Sequence, residues 1–293
     1  MDFSNVADCS FKYNELLAFL VIHNGGSFSE GVFAALLEVL KKNSSLTRLG
    51  LAWCEIRDAD VAALAEVLTD TQLELLHIGQ SEIHDKGAIA LAKALGGDSN
   101  LEWLILSEDE IDDEGATILA EALNSDSTLK HLNLSCNCIS EVGALALAKA
   151  VMNSMLTELT LTGNAIGDEG AVELAKALEG NSTLTELYLC SNGIGYEGAA
   201  ALANVMKENS TLTELDLAAN EVGDEGAAAL AKALEENSVL RKLDLSETGI
   251  GDRGAVALIQ SLNENTTLTT LDVFKNEIGE ENVSALENAL KER

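Results

Sequence analysis

Two glycine-rich stretches of the sequence have the spacing that holds a dinucleotide. Residues 193–198 and 249–254 both read G-x-G-x-x-G, the pattern that lets a backbone approach a pyrophosphate at the start of a helix. Glu197 and Asp252 lie at the same helix starts, where a carboxylate would repel that anion. The glycines also recur at fixed offsets in a longer repeat. We therefore expect neither nucleotide binding nor any other cofactor.

An acidic stretch and a cysteine pair have the residue types of metal sites. Residues 110–115, EIDDEG, and Glu121 partly match a calcium loop, but the first ligand is Glu, and Gly115 begins a helical segment that would carry Glu121 away. Cys136 and Cys138 could bind a metal or form a redox pair, but no further Cys or His has the spacing of a zinc site. We interpret these features as a solvated acidic turn and ordinary thiols, and we expect no metal.

Histidines that could serve in nucleophilic catalysis have no marked partner in the sequence. The sequence has four histidines, His23, His77, His84 and His131. No sequence cue pairs any of them with a nucleophile. The P-loop, H-E-x-x-H and G-x-S-x-G motifs are absent from the sequence. The sequence thus predicts no catalytic residue and no enzyme activity.

The charge balance limits the class of partner. Eighteen Lys and Arg face 49 Asp and Glu, so the formal net charge is −31 at pH 7. Such a surface repels nucleic acid and anionic lipid and attracts basic proteins. No apolar run approaches the ~18 residues of a membrane span. Five scattered cysteines, and a first segment without a basic-then-apolar signal, predict a cytoplasmic protein.

Most of the chain consists of imperfect copies of one unit, seen most clearly in residues 212–239. The unit begins with L-x-x-L-x-L, whose alternation predicts a short strand with one buried face. An Asn-, Gly- and acid-rich turn follows, and then leucines and alanines at helical spacing. The opening leucine recurs every 27 or 28 residues, at Leu46, Leu73, Leu101, Leu129, Leu156, Leu184, Leu212, Leu240 and Leu268. A degenerate copy precedes these at Leu17, Leu20 and Ile22, with a helix over about 31–42.

Polar residues recur where the unit changes direction. Eight positions after the opening leucine, an inward asparagine can bond loop backbone, at Asn137, Asn164, Asn192, Asn220 and Asn276. Four copies depart from this, with Cys54, Ser81, Asp109 and Thr248. Aspartates at the helix entrances, such as Asp168, can cap free amides. Asparagines at the helix ends, such as Asn209, tolerate a left-handed turn, and glycines at the helix starts, such as Gly198, allow close packing.

The pattern L-x-x-L-x-L-x-x-N-x-I at this period, followed by a long helix, resembles the leucine-rich-repeat family. The phrase G-D-E-G-A-x-x-L-A-x-A-L, at residues 167–178 and 223–234, is similar to the ribonuclease-inhibitor-like subfamily. That subfamily includes the repeat regions of NOD-like receptors and Ran GTPase activators. The resemblance implies an α/β leucine-rich-repeat solenoid: a right-handed arc with a parallel β-sheet on its concave side and α-helices on its convex side.

The repeat predicts a single domain of about ten repeats over residues 17–293. Residues 1–16 are expected to cap the first repeat. The last helix, over about 283–291, is rich in charged residues and is expected to cap the other end.

The concave sheet face is the candidate partner-binding surface, because solenoids bind along it. Residues two, four, six and seven positions after each opening leucine are expected to point out of the sheet. In the early repeats these positions include apolar, aromatic and basic residues: Phe19, Val21, His23, Arg48, Trp53, Leu75, His77, Trp103, Ile105 and His131. In the later repeats the same positions carry acids, namely Glu158, Glu186, Glu214, Asp216, Asp244 and Asp272. Tyr188 and Phe274 are the two aromatic exceptions.

Four of these residues are expected to anchor a partner: Trp53, Leu75, Trp103 and Ile105. Exposed tryptophan is often the centre of a protein interface, and apolar residues between two tryptophans would form a patch that needs a partner. The acidic positions would steer and orient a basic surface. The alternative is that the early repeats are merely degenerate and that residues 1–16 cover both tryptophans.

These features predict a non-enzymatic scaffold, monomeric alone, that binds a folded protein with a basic surface. The resemblance to ribonuclease inhibitor implies enzyme inhibition or regulation as one use. Similar acidic arrays in NOD-like receptors and in proteins that bacteria inject into host cells imply an effector-type role. Two alternatives stay open: a GTPase activator, in which Arg57 would correspond to the arginine of the Ran GTPase activators, and a self-associating structural array.

Overall fold

The chain contains two compact units, which divide after Cys138. The computed structural model describes residues 19–23, 30–96, 99–123 and 127–291. In both units short strands alternate with helices, at the period that the opening leucines predict. The proposed cap over residues 1–16 lies outside the described residues, and the single domain over 17–293 stays a prediction.

Unit 1 contains five strands and four helices among its described residues. Its strands lie side by side in chain order, and neighbouring strands are parallel. Equivalent positions of successive repeats pair, as Leu75 does with Trp103. The strands are β1 (Phe19–His23), β2 (Arg48–Ala52), β3 (Leu75–Gly79), β4 (Trp103–Ser107) and β5 (His131–Asn133). The helices are α1 (Glu30–Lys42), α2 (Asp58–Leu68), α3 (Asp85–Leu95) and α4 (Asp113–Ala122).

Unit 2 contains five strands and six helices among its described residues. Its strands also lie in chain order and pair in parallel. The strands are β6 (Glu158–Thr160), β7 (Glu186–Tyr188), β8 (Glu214–Asp216), β9 (Lys242–Asp244) and β10 (Thr270–Asp272). The helices are α5 (Glu141–Val151), α6 (Gly167–Leu178), α7 (Tyr196–Met206), α8 (Gly223–Glu236), α9 (Asp252–Glu264) and α10 (Glu280–Lys291).

The strands of unit 2 are shorter than the L-x-x-L-x-L motif predicts. In the most regular repeat the strand covers Glu214–Asp216 only, although Leu212 and Leu217 are buried on either side of it. The backbone does not lose its partner where the strand ends, because Leu217 N donates to Asp244 O at 3.0 Å. The motif therefore marks which residues are buried rather than how far the regular strand extends.

The core of each unit is aliphatic, and it lies between a strand layer and a helix layer. The central strand leucines and the helix leucines are fully buried, such as Leu104 and Leu119 in unit 1 and Leu215 and Leu230 in unit 2. Burial of one such side chain contributes about 1.5–3 kcal/mol. A unit with one apolar strand face and one apolar helix stripe forms such a core only when copies stack, which confirms the predicted α/β repeat class.

The inward asparagines form the predicted ladder between repeats. In unit 2, Asn220 Oδ1 accepts from the amides of Asn192 (3.0 Å) and Ile194 (2.9 Å). Its Nδ2 donates to the carbonyls of Leu189 and Leu217, both at 2.9 Å. In unit 1, Asn137 repeats the arrangement. One amide side chain thus satisfies loop groups of two repeats, which would otherwise be buried without partners.

The entrance aspartates do accept from free amides, but those amides start the next helix along the chain. Asp168 Oδ1, at the start of α6, accepts from Gly195 N at 2.7 Å and Gly198 N at 2.8 Å, at the start of α7. The same pattern holds for Asp58, Asp85 and Asp224, whereas Asp252 accepts from Gly279 N and from the side-chain amide of Asn282. A carboxylate at a helix N-terminus also complements the helix dipole. Each of these caps therefore joins two repeats.

The left-handed residues occur after the strands rather than at the helix ends. Asn237, at the end of α8, is extended, with φ −80° and ψ 132°. Its Oδ1 accepts from the amides of Val239 and Leu240, and its Nδ2 donates to Met206 O of the preceding repeat at 2.6 Å. The expectation of a left-handed asparagine there was wrong, because the side chain terminates the helix by bonding and needs no unusual backbone. Positive φ falls instead at the position seven after the opening leucine, as at Ala219 (52°).

We predict that Gly198→Ala will lower the free energy of unfolding by about 1–3 kcal/mol, as overpacking commonly does. An added Cβ would lie 2.8 Å from Ile194 Cγ2 and 2.9 Å from Ala171 Cβ. Gly180→Ala is the matched control, because no atom lies within 4 Å of its Cβ position. Urea unfolding of both variants would measure the difference. Equal stability of the two would show that close packing at this glycine is not required.

Candidate protein-binding surface

Each unit leaves one side of its strand layer without helices, and we call this side the open face. Residues two and four positions after the opening leucine belong to it, because the strand leucine between them is buried on the other side. Position six is mixed: Ala52, Gly79 and Ala218 are buried, whereas Ser107 and Ser135 are half-buried and Phe274 is exposed. Position seven differs from the expectation. Position seven follows the strand and forms the left-handed turn.

The open face of unit 1 carries a row of large side chains at position two. Leu75 pairs in register with Trp103, and Trp103 pairs with His131. The indole and imidazole rings stack, with centroids 4.5 Å apart and planes 4° from parallel. At position four, His77 pairs with Ile105. All five side chains are half-buried, and together they form the apolar patch of unit 1.

Trp53 is exposed, but it does not lie on a strand as the other anchor residues do. It follows the end of β2, with φ 59°, and its amide donates to Gly79 O at 3.2 Å. Its side chain is 57 % exposed. The alternative in which residues 1–16 cover the tryptophans concerns a segment outside the described residues. Trp53 is therefore a turn residue at the carboxyl end of the strands, beside the patch rather than within it.

The first two strands contribute less to the open face than the sequence suggests. Val21 is half-buried, and its Cγ2 lies 3.3 Å from the position of a Cβ on Gly50, so it covers the space that this glycine leaves. Arg48 is exposed and pairs in register with Leu75. Phe19 and His23 lie on β1, but their side chains are outside the described part of the chain.

The open face of unit 2 carries carboxylates on successive strands. Glu158, Glu186 and Glu214 stand side by side at position two, and Asp216, Asp244 and Asp272 do so at position four. Like charges directly opposite one another across strands are unfavourable, so nothing in the fold itself calls for this arrangement. The prediction that these positions lie on one side of the sheet is correct for both rows.

Tyr188 lies among these acids and bonds to two of them. Its hydroxyl is 2.7 Å from Glu186 Oε2 and 3.2 Å from Glu214 Oε2. Burial raises the pKa of Tyr188, and the hydrogen bond and charge of Glu186 raise it further, with Glu214 adding to the effect. Burial also raises the pKa of Asp216, against its bond from Ala218 N, and the charge of Asp244 adds to the rise. These acids are therefore partly withdrawn from water and repel one another.

Lys242 is the residue that the sequence reading missed on this face. It stands at position two of β9, beside Glu214, and its Nζ lies 2.6 Å from Glu214 Oε1. The bond and charge of Glu214 raise the pKa of Lys242. Reading position two in every repeat would have revealed this lysine. It neutralises one carboxylate of the row, that of Glu214.

Phe274 and Arg57 stand apart from both rows. Phe274, two residues past the end of β10, is 67 % exposed, and Lys275 Nζ lies 5.8 Å from its ring centre. Arg57 precedes α2, and its guanidinium is 3.5 Å from the Asp60 carboxylate. An exposed ion pair of this kind contributes about 0–1 kcal/mol. The Arg57 backbone amide also donates to Asp60 Oδ2 at 3.1 Å, and the Arg57 carbonyl accepts from the amides of Asp60 and Val61 at the start of α2.

The stretches that resemble a dinucleotide site have their amides already occupied. Asp168 accepts from Gly195 N and Gly198 N, and Asp224 accepts from Gly251 N (2.8 Å) and Gly254 N (2.8 Å). A pyrophosphate would need those same amides. The glycine amides thus bond to a carboxylate of the preceding repeat and contribute to the stacking of repeats.

The described residues show neither a metal-ligand cluster nor a helix suited to crossing a membrane. No group of three or more His, Cys, Asp or Glu among them is placed to hold a metal ion. Cys136 and Cys138 are both exposed. Within the same residues, no helix has both the length and the apolar character that a membrane crossing requires.

The stacked strand–turn–helix units and the open face define a repeat protein of the leucine-rich class. A family model described as "Leucine Rich repeat" matches most of the chain, over residues 42–65, 70–92, 125–148, 153–175, 180–203, 208–231, 236–258 and 264–286. The chain belongs to the leucine-rich-repeat family. No curated protein sequence matches it.

Several solved structures are similar to this chain. A chain of the yeast Rad7 and Elc1 complex is 18 % identical over 86 % of this chain and 70 % of that chain, with a TM-score of 0.50, which agrees with the fold. Leiomodin-1 actin-binding site 2 is 26 % identical over 51 % of this chain and 87 % of that one (TM-score 0.46). An internalin, inlF, of Listeria monocytogenes is 19 % identical over 93 % and 85 % respectively (TM-score 0.44).

We predict that one tyrosine of the native protein ionises well above the ordinary pKa of about 10, because burial and two carboxylates disfavour the Tyr188 phenolate. Ultraviolet titration of the phenols would detect it, and Tyr188→Phe should remove that component while Tyr196→Phe should not. Glu186→Gln should lower the pKa of Tyr188, since it removes a neighbouring negative charge. An unchanged titration in Glu186→Gln would contradict the close contact.

Proposed function

We propose that this chain is a non-enzymatic scaffold that binds a folded protein with a basic surface on its open face. The observation that carries the proposal is that positions two and four of the repeat, which the fold leaves unconstrained, hold a half-exposed apolar patch in unit 1 and rows of carboxylates in unit 2. Leucine-rich repeats are solenoids, and solenoids bind partners along extended surfaces.

The apolar patch of unit 1 would supply affinity. Leu75, Trp103 and Ile105 occupy open-face positions at which the repeats of unit 2 carry Glu, Lys, Thr, Tyr or Asp. Packing of the repeat requires only the leucines between these positions, so the three large side chains have no role in the core. Aromatic and aliphatic side chains at the centre of a water-excluded contact usually dominate binding energy. The His131 ring holds the Trp103 indole in one orientation, which lowers the entropy cost of binding.

The carboxylate rows of unit 2 would steer and orient the partner. Aligned acids on one surface of a chain with net charge −31 create a field that raises the association rate of a basic protein. Burial raises the pKa of Asp216, and the neighbouring charge of Asp244 adds to the rise, so a cation from a partner would relieve repulsion between these two carboxylates.

The subfamily and the biological use are finer parts of the same proposal. The long helices and the G-D-E-G-A phrase of α6 and α8 favour the ribonuclease-inhibitor-like subfamily, in which inhibition or regulation of an enzyme is the use we propose. An effector-type role fits the same features. We further propose that the protein works in the cytoplasm as a monomer with one repeat domain, with residues 1–16 and α10 as its caps.

We predict that Leu75→Ala/Trp103→Ala will weaken partner binding by about 30-fold or more, the scale of losing buried interface anchors. Affinity capture with wild type and variant, followed by identification and titration of the captured proteins, would measure this loss. Val142→Ala/Met152→Ala is the matched control, because both residues are exposed and apolar but belong to α5 and its end. The anchor hypothesis fails if both variants retain the same partners at the same affinity.

We predict that neutralising the rows will slow association without much change in dissociation. Glu158→Gln/Glu186→Gln/Asp244→Asn should reduce the association rate by about tenfold at low salt and flatten its salt dependence. The control is Glu169→Gln/Glu197→Gln/Glu235→Gln, which makes the same charge change on exposed residues of the helices. Stopped-flow kinetics with the identified partner would separate the two. Equal slowing by both variants would mean that net charge matters and the open face does not.

A further inference from the structure

Asp109 is the one ladder residue of the described chain that has no group to donate. It occupies the position eight after the opening leucine, where asparagine stands in the regular repeats. The other replacements keep a donor. Cys54 Sγ lies 3.2 Å from Ile22 O, Ser81 Oγ lies 3.4 Å from Gly79 O, and Thr248 Oγ1 lies 2.6 Å from Leu245 O.

The two oxygens of Asp109 have different surroundings. Oδ1 accepts from Ser81 N at 3.1 Å, as Asn220 Oδ1 accepts from Asn192 N. Oδ2 therefore takes the place of the asparagine Nδ2, which donates to carbonyls of its own and the preceding repeat. The side chain is 5 % exposed, and Oδ2 is the buried side-chain oxygen or nitrogen that lacks a hydrogen-bond partner within the described residues. The carbonyls of Leu189 and Leu217, which Asn220 Nδ2 reaches, correspond by the repeat period to those of Ile78 and Leu106 for Asp109.

A carboxylate is unsuited to that position, and a carboxylic acid is suited to it. An ionised carboxyl group only accepts hydrogen bonds, whereas a protonated one donates through one oxygen and accepts through the other. Protonated on Oδ2, Asp109 reproduces the donor and acceptor pattern of asparagine at nearly the same size. We propose that Asp109 is held in the folded protein as a neutral acid in place of asparagine, so that its ionisation weakens this rung of the ladder.

The charges around Asp109 agree with this assignment. Burial raises the pKa of Asp109 to about 7, against the amides of Ser81 and Ile83. His84 of the preceding repeat favours the ionised form when it is protonated, and Glu108 on the same loop disfavours it. His84 Nε2 is paired with Glu110 Oε2 at 3.2 Å. From the following repeat, the ladder residue Asn137 is neutral, and it already donates to Leu106 O at 2.8 Å.

The direction of the pH effect follows from the two pKa values. An unfolded aspartate has a pKa of about 3.9. Between about pH 4 and about pH 7, the folded chain keeps a proton that the unfolded chain has lost. The stability that this site contributes is therefore complete below about pH 4, falls as the pH rises to about 7, and stays constant above that.

The loop that Asp109 holds also borders the apolar patch of unit 1. Asp109 lies two residues past the end of β4, the strand of Trp103 and Ile105. The preceding residue, Glu108, has φ 60°, donates its amide to Ser135 O and hydrogen-bonds the side chain of Gln80 through its carboxylate. A weakened rung would loosen this turn at near-neutral pH. The assignment of the proton itself does not depend on what binds the patch.

Comparison of the wild type with Asp109→Asn tests the proposal. Asparagine matches the shape and the ladder pattern, so the variant should fold. In urea unfolding of the full chain from pH 4 to pH 9, the ratio of the wild-type to the variant unfolding constant should rise by up to about tenfold per pH unit below pH 7. A total rise of about a hundredfold or more, level above pH 7, is expected. The same comparison in a His84→Gln background should keep the rise, which would separate it from histidine titration.

Two further measurements make the result decisive. Carbon NMR of the aspartate carboxyl groups should show one group with a midpoint near pH 7 that is missing in Asp109→Asn. Asn220→Asp places a carboxyl group at the equivalent rung of unit 2 and should create the same pH dependence there. The proposal is overturned if Asp109 titrates near pH 4, or if wild type and Asp109→Asn have parallel stability profiles between pH 4 and pH 8.

Discussion

The satisfaction of buried loop backbone by side chains of neighbouring repeats is the constraint on which this structure depends. The strands of unit 2 are three residues long, so most of each repeat lacks regular strand pairing. A buried amide or carbonyl without a partner costs about 1–3 kcal/mol, and every repeat has several to satisfy. Asn220 satisfies five such groups on its own, two amides and three carbonyls. The leucines supply the energy of stacking, and the asparagines fix the register in which stacking occurs.

Because these inward residues fix the repeat, the outward residues of the strands are free to vary. Leu76 and Leu104 are buried in unit 1, as Leu187 and Leu215 are in unit 2, whereas their outward neighbours differ completely between the units. In unit 1 the outward row contains the stacked pair of Trp103 and His131, and in unit 2 it contains Glu186 and Glu214. Packing of the repeat does not require these differences between the outward residues, so the outward residues can serve partner binding. The proposed function rests on this contrast.

The sequence was sufficient to predict the features that recur in every repeat. It was insufficient for contacts between two particular side chains of neighbouring repeats. The positions of the strands, of the helices and of the Asn220-type ladder follow from the period, because each copy must bury the same apolar positions and bond the same loop backbone. The stack of Trp103 on His131 and the pair of Lys242 with Glu214 arise from the register of two particular repeats. The helix-end asparagines were misread because bonding by Asn237 removes the need for a left-handed residue there. The unpartnered oxygen of Asp109 needed coordinates, although its position in the ladder was evident.

The entrance aspartates give each unit a polarity along the chain. Asp168 lies at the start of α6 but holds the first amides of α7, and Asp224 does the same between α8 and α9. A helix in such a series begins on a carboxylate that the preceding repeat supplies, whereas its own carboxylate serves the repeat that follows. Synthesis on the ribosome delivers a chain in that same order. Each finished repeat thus offers a template for the next helix before that helix has been made.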